Sequence, residues 1–194
     1  MKAAIVKYNA GNVRSVSNAL NRLGVETVLT DDHSVLSAAD RVIFPGVGEA
    51  SSAMNFLRER GLDRAIPRLM QPVLGICLGM QLLCEYSAEN NTQCLGVLPH
   101  KVRRFFAKGN KIPHMGWNTI YGLNSPLFTG MSESEHVYFV HSYYVADSSA
   151  AIAKADYGTT FAAALSHNNF YAVQFHPEKS GPAGARILEN FLKL

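Results

Sequence analysis

The chain has 194 residues, 47% of them hydrophobic and 17% charged, with a formal net charge of +3. This fits a globular domain over 1–194 with a substantial core, and excludes a disordered or fibrous chain. Basic residues are dispersed, the densest run being Lys101-Val102-Arg103-Arg104, read as a solvated edge strand. No apolar run approaches the ~20 residues that span a bilayer, so neither nucleic acid nor membrane is an expected partner.

Ala3 to Tyr8 reads as an apolar strand running almost directly from Met1, so no targeting segment is expected. Asn9 to Asn12 is a turn. Val13, Val16, Leu20 and Leu23 then carry helical spacing, with Gly24 in the usual position after a helix. Val25 to Leu29 is a second strand, Val35 to Ala39 a short helix, and Arg41 to Phe44 a third strand stopped by Pro45. Ala50 to Arg60 is a helix closed by Gly61. Val73 to Ile76 is a buried strand and Leu78 to Tyr86 a helix. Strands alternating with helices predict an open, mostly parallel sheet with helices on both faces, an α/β fold of three layers.

Beyond Gly96 the pattern changes. Val97 to Phe106, Gly116 to Tyr121, Val137 to Tyr144, Ala150 to Tyr157 and Phe161 to Leu165 look like strands joined by turns, predicting an antiparallel extension of the sheet. Phe170 to Phe175 is a last strand and Ala183 to Leu194 a closing helix. The three cysteines, Cys77, Cys84 and Cys94, lack metal-ligand spacing, which points to a reducing, cytoplasmic compartment and to no metal.

Cys77 is the most informative position. It falls at a strand–helix junction between Gly75 and Gly79, in the pattern of a nucleophile elbow with sulfur for oxygen. A turn that sharp crowds any Cβ beside it, which is why glycines flank it. The turn would place the Leu78 N–H as an oxyanion donor and Cys77 at the positive end of a helix, where thiolate is favoured. A cysteine nucleophile needs a base, and the base needs an orienting group. His176 and Glu178, in Phe175-His176-Pro177-Glu178 just beyond the last strand, fill those roles. The Pro45-Gly46-Val47-Gly48 loop would supply a second donor, the Val47 N–H, from a peptide that two glycines make easy to reorient.

Gly75-Ile76-Cys77-Leu78-Gly79-Met80-Gln81 and Phe175-His176-Pro177-Glu178-Lys179-Ser180 together resemble the class I glutamine amidotransferases, whose fold is flavodoxin-like. Within that class the chain is similar to the glutaminase subunits of imidazole glycerol phosphate synthases. That narrower resemblance rests on Gly11-Asn12-Val13-Arg14-Ser15-Val16, Pro45 to Gly48, Pro113-His114-Met115-Gly116-Trp117-Asn118 and Val140-His141-Ser142-Tyr143-Tyr144. It implies hydrolysis of L-glutamine through a γ-glutamyl thioester on Cys77, with Gly48, Gln81, Glu89, Ser142 and Tyr143 holding the substrate and no cofactor. It further implies a heterodimer with a (β/α)8-barrel cyclase subunit that receives the ammonia in histidine biosynthesis, with Asn12, Trp117, Tyr138 and Lys179 at the interface. The chain carries no phosphate-cradling glycine motif for the acceptor. Two departures stand out: Lys7-Tyr8-Asn9-Ala10, where an acidic residue more often precedes the tyrosine, and Glu49-Ala50 where an aromatic is more usual. A glutaminase for another acceptor such as pyridoxal phosphate synthesis, a γ-glutamyl cysteine hydrolase, and a scaffold without turnover remain as alternatives.

Overall fold

The computed structural model describes residues 1–9, 11–106 and 109–194. Ala10, in the turn expected over 9–12 and in the departing Lys7 to Ala10 motif, lies outside them. The helices are α1 (Val13–Arg22), α2 (His33–Ala38), α3 (Ala50–Glu59), α4 (Leu62–Ala65), α5 (Leu78–Leu83) and α6 (Gly181–Lys193). The strands of the first half are β1 (Lys2–Val6), β2 (Glu26–Thr30), β3 (Arg41–Gly46), β4 (Val73–Cys77), β5 (Cys84–Ser87) and β6 (Thr92–Gln93). Those of the second half are β7 (Leu98–Arg104), β8 (His114–Tyr121), β9 (Ser134–His141), β10 (Tyr143–Val145), β11 (Ala151–Asp156), β12 (Thr160–His167) and β13 (Phe170–Val173).

Among the described residues, nine strands form one sheet in the order β2-β1-β3-β4-β13-β12-β11-β8-β9. From β2 to β13 every pairing is parallel; from β13 to β9 every pairing is antiparallel. The expected parallel core and antiparallel extension are both present. Strand side chains alternate between two cores, as the two-residue period requires. Ala3, Ile5, Ile43, Leu74 and Ile76 join α1 and α6 in one core. Ala4, Val6, Val42, Phe44 and Val73 join α2, α3 and α5 in the other.

Five expectations fail, each for a packing reason. β1 ends at Val6, and Tyr8 turns inward so that its hydroxyl donates to the Pro45 carbonyl at 2.6 Å. Pro45 does not stop β3, which continues to Gly46. β1 pairs with β3 only as far as Ile43, so a residue without an N–H is tolerated beyond that point. The helix expected to Tyr86 stops at Leu83, because Cys84–Ser87 turns extended and enters a second, four-stranded sheet, β10-β7-β5-β6. That sheet was not expected at all. It makes β7 an internal strand rather than an edge, although Lys101, Arg103 and Arg104 do project into solvent. It also splits the run read over Val137 to Tyr144: β9 ends at His141, and Tyr143 to Val145 crosses to pair with β7.

In open sheets of this kind ligands bind beyond the carboxyl ends of the parallel strands. Here β3, β4 and β13 lie side by side, with Gly46 opposite Cys77 and Ile76 opposite Val173. Three segments distant in sequence therefore converge at one end of the sheet.

Candidate active site

Cys77 has φ 55° and ψ −108°, a strained conformation for a residue with a Cβ, and only 6% of its surface is exposed. The strain is held by close packing. A Cβ on Gly79 would lie 1.8 Å from the Phe44 carbonyl oxygen, and one on Gly75 would lie 2.7 Å from Leu83 Cδ1. A Cβ on Gly46 would lie 2.2 Å from the Tyr8 hydroxyl. Gly46 is thus needed for close approach, while Gly48, at φ 117°, supplies the conformational freedom expected of this loop. Leu78 is the first residue of α5, so its N–H has no intrahelical acceptor and is free to donate. The helix is only six residues long, which limits what its dipole offers. The side chains around the sulfur matter more.

His176 lies just past β13, and its Nδ1 is 2.8 Å from Glu178 Oε1. The side chains of both are almost fully buried, 2% and 0% exposed. Burial disfavours the His176 imidazolium, but the neighbouring Cys77 sulfur and the Glu178 carboxylate outweigh it and push its pKa up to about 10. His176 is therefore hydrogen-bonded to the orienting carboxylate and electrostatically coupled to the sulfur. The backbone of His176 is clamped too: its N–H donates to the Tyr138 carbonyl at 2.9 Å, and its carbonyl accepts the Ser180 hydroxyl at 2.7 Å.

A raised pKa in the folded state means that His176 stabilises the fold fully below pH 6.5, its ordinary value, and progressively less as pH rises toward 10. We predict that the unfolding free energy falls between pH 7.5 and 8.5, at up to about 1.4 kcal/mol per unit, above the range in which His114 and His141, lowered by burial, give a slope of opposite sign. His176→Asn flattens that slope. The window stops below pH 9, where the buried Cys84 and Cys94 thiols, both raised in the fold by burial, would ionise in the unfolded chain and add a slope of their own. Denaturant titrations across the window check it, and equal slopes in the two proteins would contradict it.

Val47, Gly48, Cys77, Leu78, Gln81, Glu89, Ser142 and Tyr143 all line one cavity of about 260 Å³. Every oxyanion and substrate residue expected from sequence is thus gathered around the sulfur. Gln81 is 4% exposed, and its Nε2 donates to the Tyr143 carbonyl at 3.1 Å and to Gln174 Oε1 at 2.9 Å. Its donors are then committed, which leaves its carbonyl oxygen for a donor on a ligand. Glu89 Oε2 accepts the Ala50 N–H at 2.8 Å, and partial burial raises its pKa. The Glu49 departure has a structural use: its carboxylate caps α3 through the Ser51 and Ser52 N–H groups.

Asn12, Trp117, Tyr138 and Lys179 also cluster. Trp117 is paired with Tyr138 across β8 and β9, their rings 6.0 Å apart, and the Lys179 ammonium lies 5.9 Å from the Tyr138 ring. Trp117 is 57% exposed, and its neighbour Met115 62%, an apolar pair projecting from β8. Asn12 Nδ2 donates to Glu178 Oε1, the same oxygen that accepts His176. This patch is therefore wired to the triad, through Asn12 to the carboxylate and through the Tyr138 carbonyl to the His176 backbone.

Sequence reasoning gave no role to Gln174, which is wholly buried and whose Nε2 lies 3.7 Å from Cys77 Sγ. A signal existed: a glutamine between Val173 and Phe175 breaks an apolar strand next to the expected base. Tyr8 was likewise passed over, although its hydroxyl fixes the Pro45 carbonyl behind the donor loop. Among the described residues no group of His, Cys, Asp and Glu could hold a metal, and no helix is long and apolar enough to cross a membrane.

Residues 4–194 match the family described as glutamine amidotransferase class-I. A protein of Bacteroides fragilis strain YCH46 named imidazole glycerol phosphate synthase subunit HisH is 60% identical over 196 residues, covering 100% of both chains. One of the same name from Haemophilus influenzae strain KW20 is 46% identical, covering 97% of this chain and 96% of its own. Among solved structures, a glutamine amidotransferase superposes with a TM-score of 0.76 at 23% identity, covering 98% of this chain and 97% of its own. That last likeness bears on the fold alone.

Proposed function

Because this chain belongs to the class I glutamine amidotransferases, and within them to the HisH subunits, we propose that its cavity hydrolyses L-glutamine and that the ammonia passes to a cyclase subunit. The observation that carries this is the strained Cys77 on the cavity wall, with a buried His176–Glu178 pair coupled to its sulfur. Cys77 sulfur attacks the side-chain amide carbon. The oxyanion that develops is met by the N–H groups of Leu78 and Val47; one such donor contributes roughly 3 kcal/mol. His176 starts as an imidazolium and gives its proton to the departing nitrogen, so ammonia leaves and a γ-glutamyl thioester remains. His176, now neutral, takes a proton from water, whose oxygen attacks the thioester and releases glutamate. Gln81 accepts a hydrogen bond from the substrate, while Gly48, Glu89, Ser142 and Tyr143 complete the pocket. No cofactor takes part.

Ammonia in neutral water is mostly ammonium, which is not a nucleophile. The product is useful only if handed over without escaping. The exposed Met115–Trp117 face, with Tyr138, Lys179 and Asn12, is where we place the (β/α)8-barrel partner in a cytoplasmic heterodimer that makes imidazole glycerol phosphate in histidine biosynthesis. Because Asn12 and Tyr138 also contact the triad, docking there has a direct path to the reacting groups. Reorientation of the Val47 peptide on partner binding would complete the oxyanion site. We expect glutaminase activity to be low in the isolated chain and to rise at least about tenfold with a cyclase and its acceptor. Glutamate release measured with and without them tests this, and full activity in isolation sinks the activation step.

A further inference from the structure

Two buried histidines lie outside the triad. His114 on β8 and His141 at the end of β9 are 3% and 5% exposed, and their rings bond to each other, Nδ1 of His114 to Nε2 of His141, at 3.0 Å. His114 stacks between Phe139 and Tyr157, with ring centroids 4.8 and 4.0 Å away. Phe105 and Phe161 each lie 5.3 Å from the His141 ring. In so apolar a setting a phenylalanine pair would pack without the cost of burying polar nitrogens.

The hydrogen-bond polarity is fixed from one end. His141 Nδ1 lies 2.7 Å from the Tyr143 carbonyl, which can only accept, so Nδ1 carries the proton. His141 Nε2 is then an acceptor and must be met by a proton on His114 Nδ1. His114 Nε2 is in turn an acceptor, and the Asn118 amide stands 3.3 Å from it. Each ring is held in a single tautomer. The same Tyr143 carbonyl also receives Gln81 Nε2, and Gln81 in turn donates to Gln174, whose amide faces Cys77. One continuous chain of hydrogen bonds thus runs from Asn118, beside the exposed Trp117, to the reacting sulfur, with His141 and Gln81 both donating into the Tyr143 carbonyl.

We propose that His114 and His141 are positioning residues: a fixed, uncharged imidazole relay that locks the Tyr143 carbonyl and, through it, the orientation of Gln81 toward glutamine. The kinetic part rests on the glutaminase reading given above; the tautomer part does not. Nitrogen-15 NMR of the full chain at pH 7.5 is expected to show both rings protonated at Nδ1 and bare at Nε2. A proton on His141 Nε2 would overturn the relay whether or not the chain hydrolyses glutamine. His141→Phe, assayed with the cyclase, is expected to raise KM for glutamine about tenfold, as for one lost hydrogen bond, and to change kcat by less than about threefold. Alkylation of Cys77 by iodoacetamide should stay within about threefold, since the triad is untouched. Because the relay has one output, His114→Phe combined with His141→Phe should be no worse than His141→Phe alone. Losses that multiply, or a KM that does not move, would show ordinary packing instead. Were the variants not to fold, the tautomers of the native chain decide the matter.

Discussion

Cys77→Ala is expected to abolish glutamine hydrolysis, lowering kcat by at least about 10^4-fold, while leaving the fold intact. The loss is large because triad members act as a unit: without sulfur, neither His176 nor Glu178 has a proton transfer to assist. The fold should survive because alanine keeps the same Cβ at the same φ of 55°. The sulfur it removes makes only long contacts, 3.7 Å to the Val140 carbonyl and 3.7 Å to Gln174 Nε2. His176 would also lose the partner that, with Glu178, holds its proton, so its pKa should drop from about 10 toward the ordinary 6.5. Two measurements separate chemistry from folding. Mass spectrometry should show no covalent adduct with a glutamine-analogue electrophile, and a complex with the cyclase should recover synthase turnover when ammonium salts replace glutamine. Ammonia release undiminished in the variant would remove Cys77 from the mechanism, whatever its surroundings.

The elements that reading the sequence located best are those in which local pattern and tertiary demand agree. The glycines around Cys77 announced an elbow because no other residue tolerates those approaches, and His176-Pro177-Glu178 announced a base because the pair follows an apolar strand. What could not be read was pairing. Nothing in Cys84-Glu85-Tyr86-Ser87 marks it as a strand, since its preceding turn is a good helix and only β7 and β6 draw it into a sheet. The break at Ser142 is similar: Val137 to Tyr144 is uniformly strand-forming, and only the second sheet cuts it in two. Adjacency of β4 and β13 was equally invisible, yet it sets Gln174 against the sulfur and brings His176 to the same end of the sheet. His114 and His141 sat inside recognised motifs without a role, because an imidazole's meaning lies in what each nitrogen faces.

Gly79→Ala is expected to be the most damaging single-methyl change near the site. In an ordinary helix the swap helps by about 1 kcal/mol, since alanine is the better helix former. Here the added Cβ would stand 1.8 Å from the Phe44 carbonyl oxygen and 2.9 Å from its carbon, against a contact limit near 3.0 Å. The obstacle is backbone of β3, paired with β4 at this point, Phe44 opposite Gly75, so it cannot rotate away. α5 must lift instead, by more than about 1 Å. Overpacking of this kind costs about 3 kcal/mol or more, which exceeds the propensity gain and leaves a net loss of about 2 kcal/mol. For a chain this long that is roughly 4–8 °C in Tm. The catalytic loss should be larger than the stability loss, because lifting α5 carries the Leu78 N–H and Cys77 with it, and an ångström of misplacement costs about 100-fold. Gly122→Ala is the control. Gly122 also has no Cβ and sits at φ 64°, but nothing lies within 4 Å of where one would be added, so only the left-handed strain of about 1 kcal/mol applies, with activity unchanged. Calorimetry and glutaminase assays on both variants give the comparison. A Gly79→Ala protein as stable and as active as Gly122→Ala would mean that the elbow is not held by contact with β3.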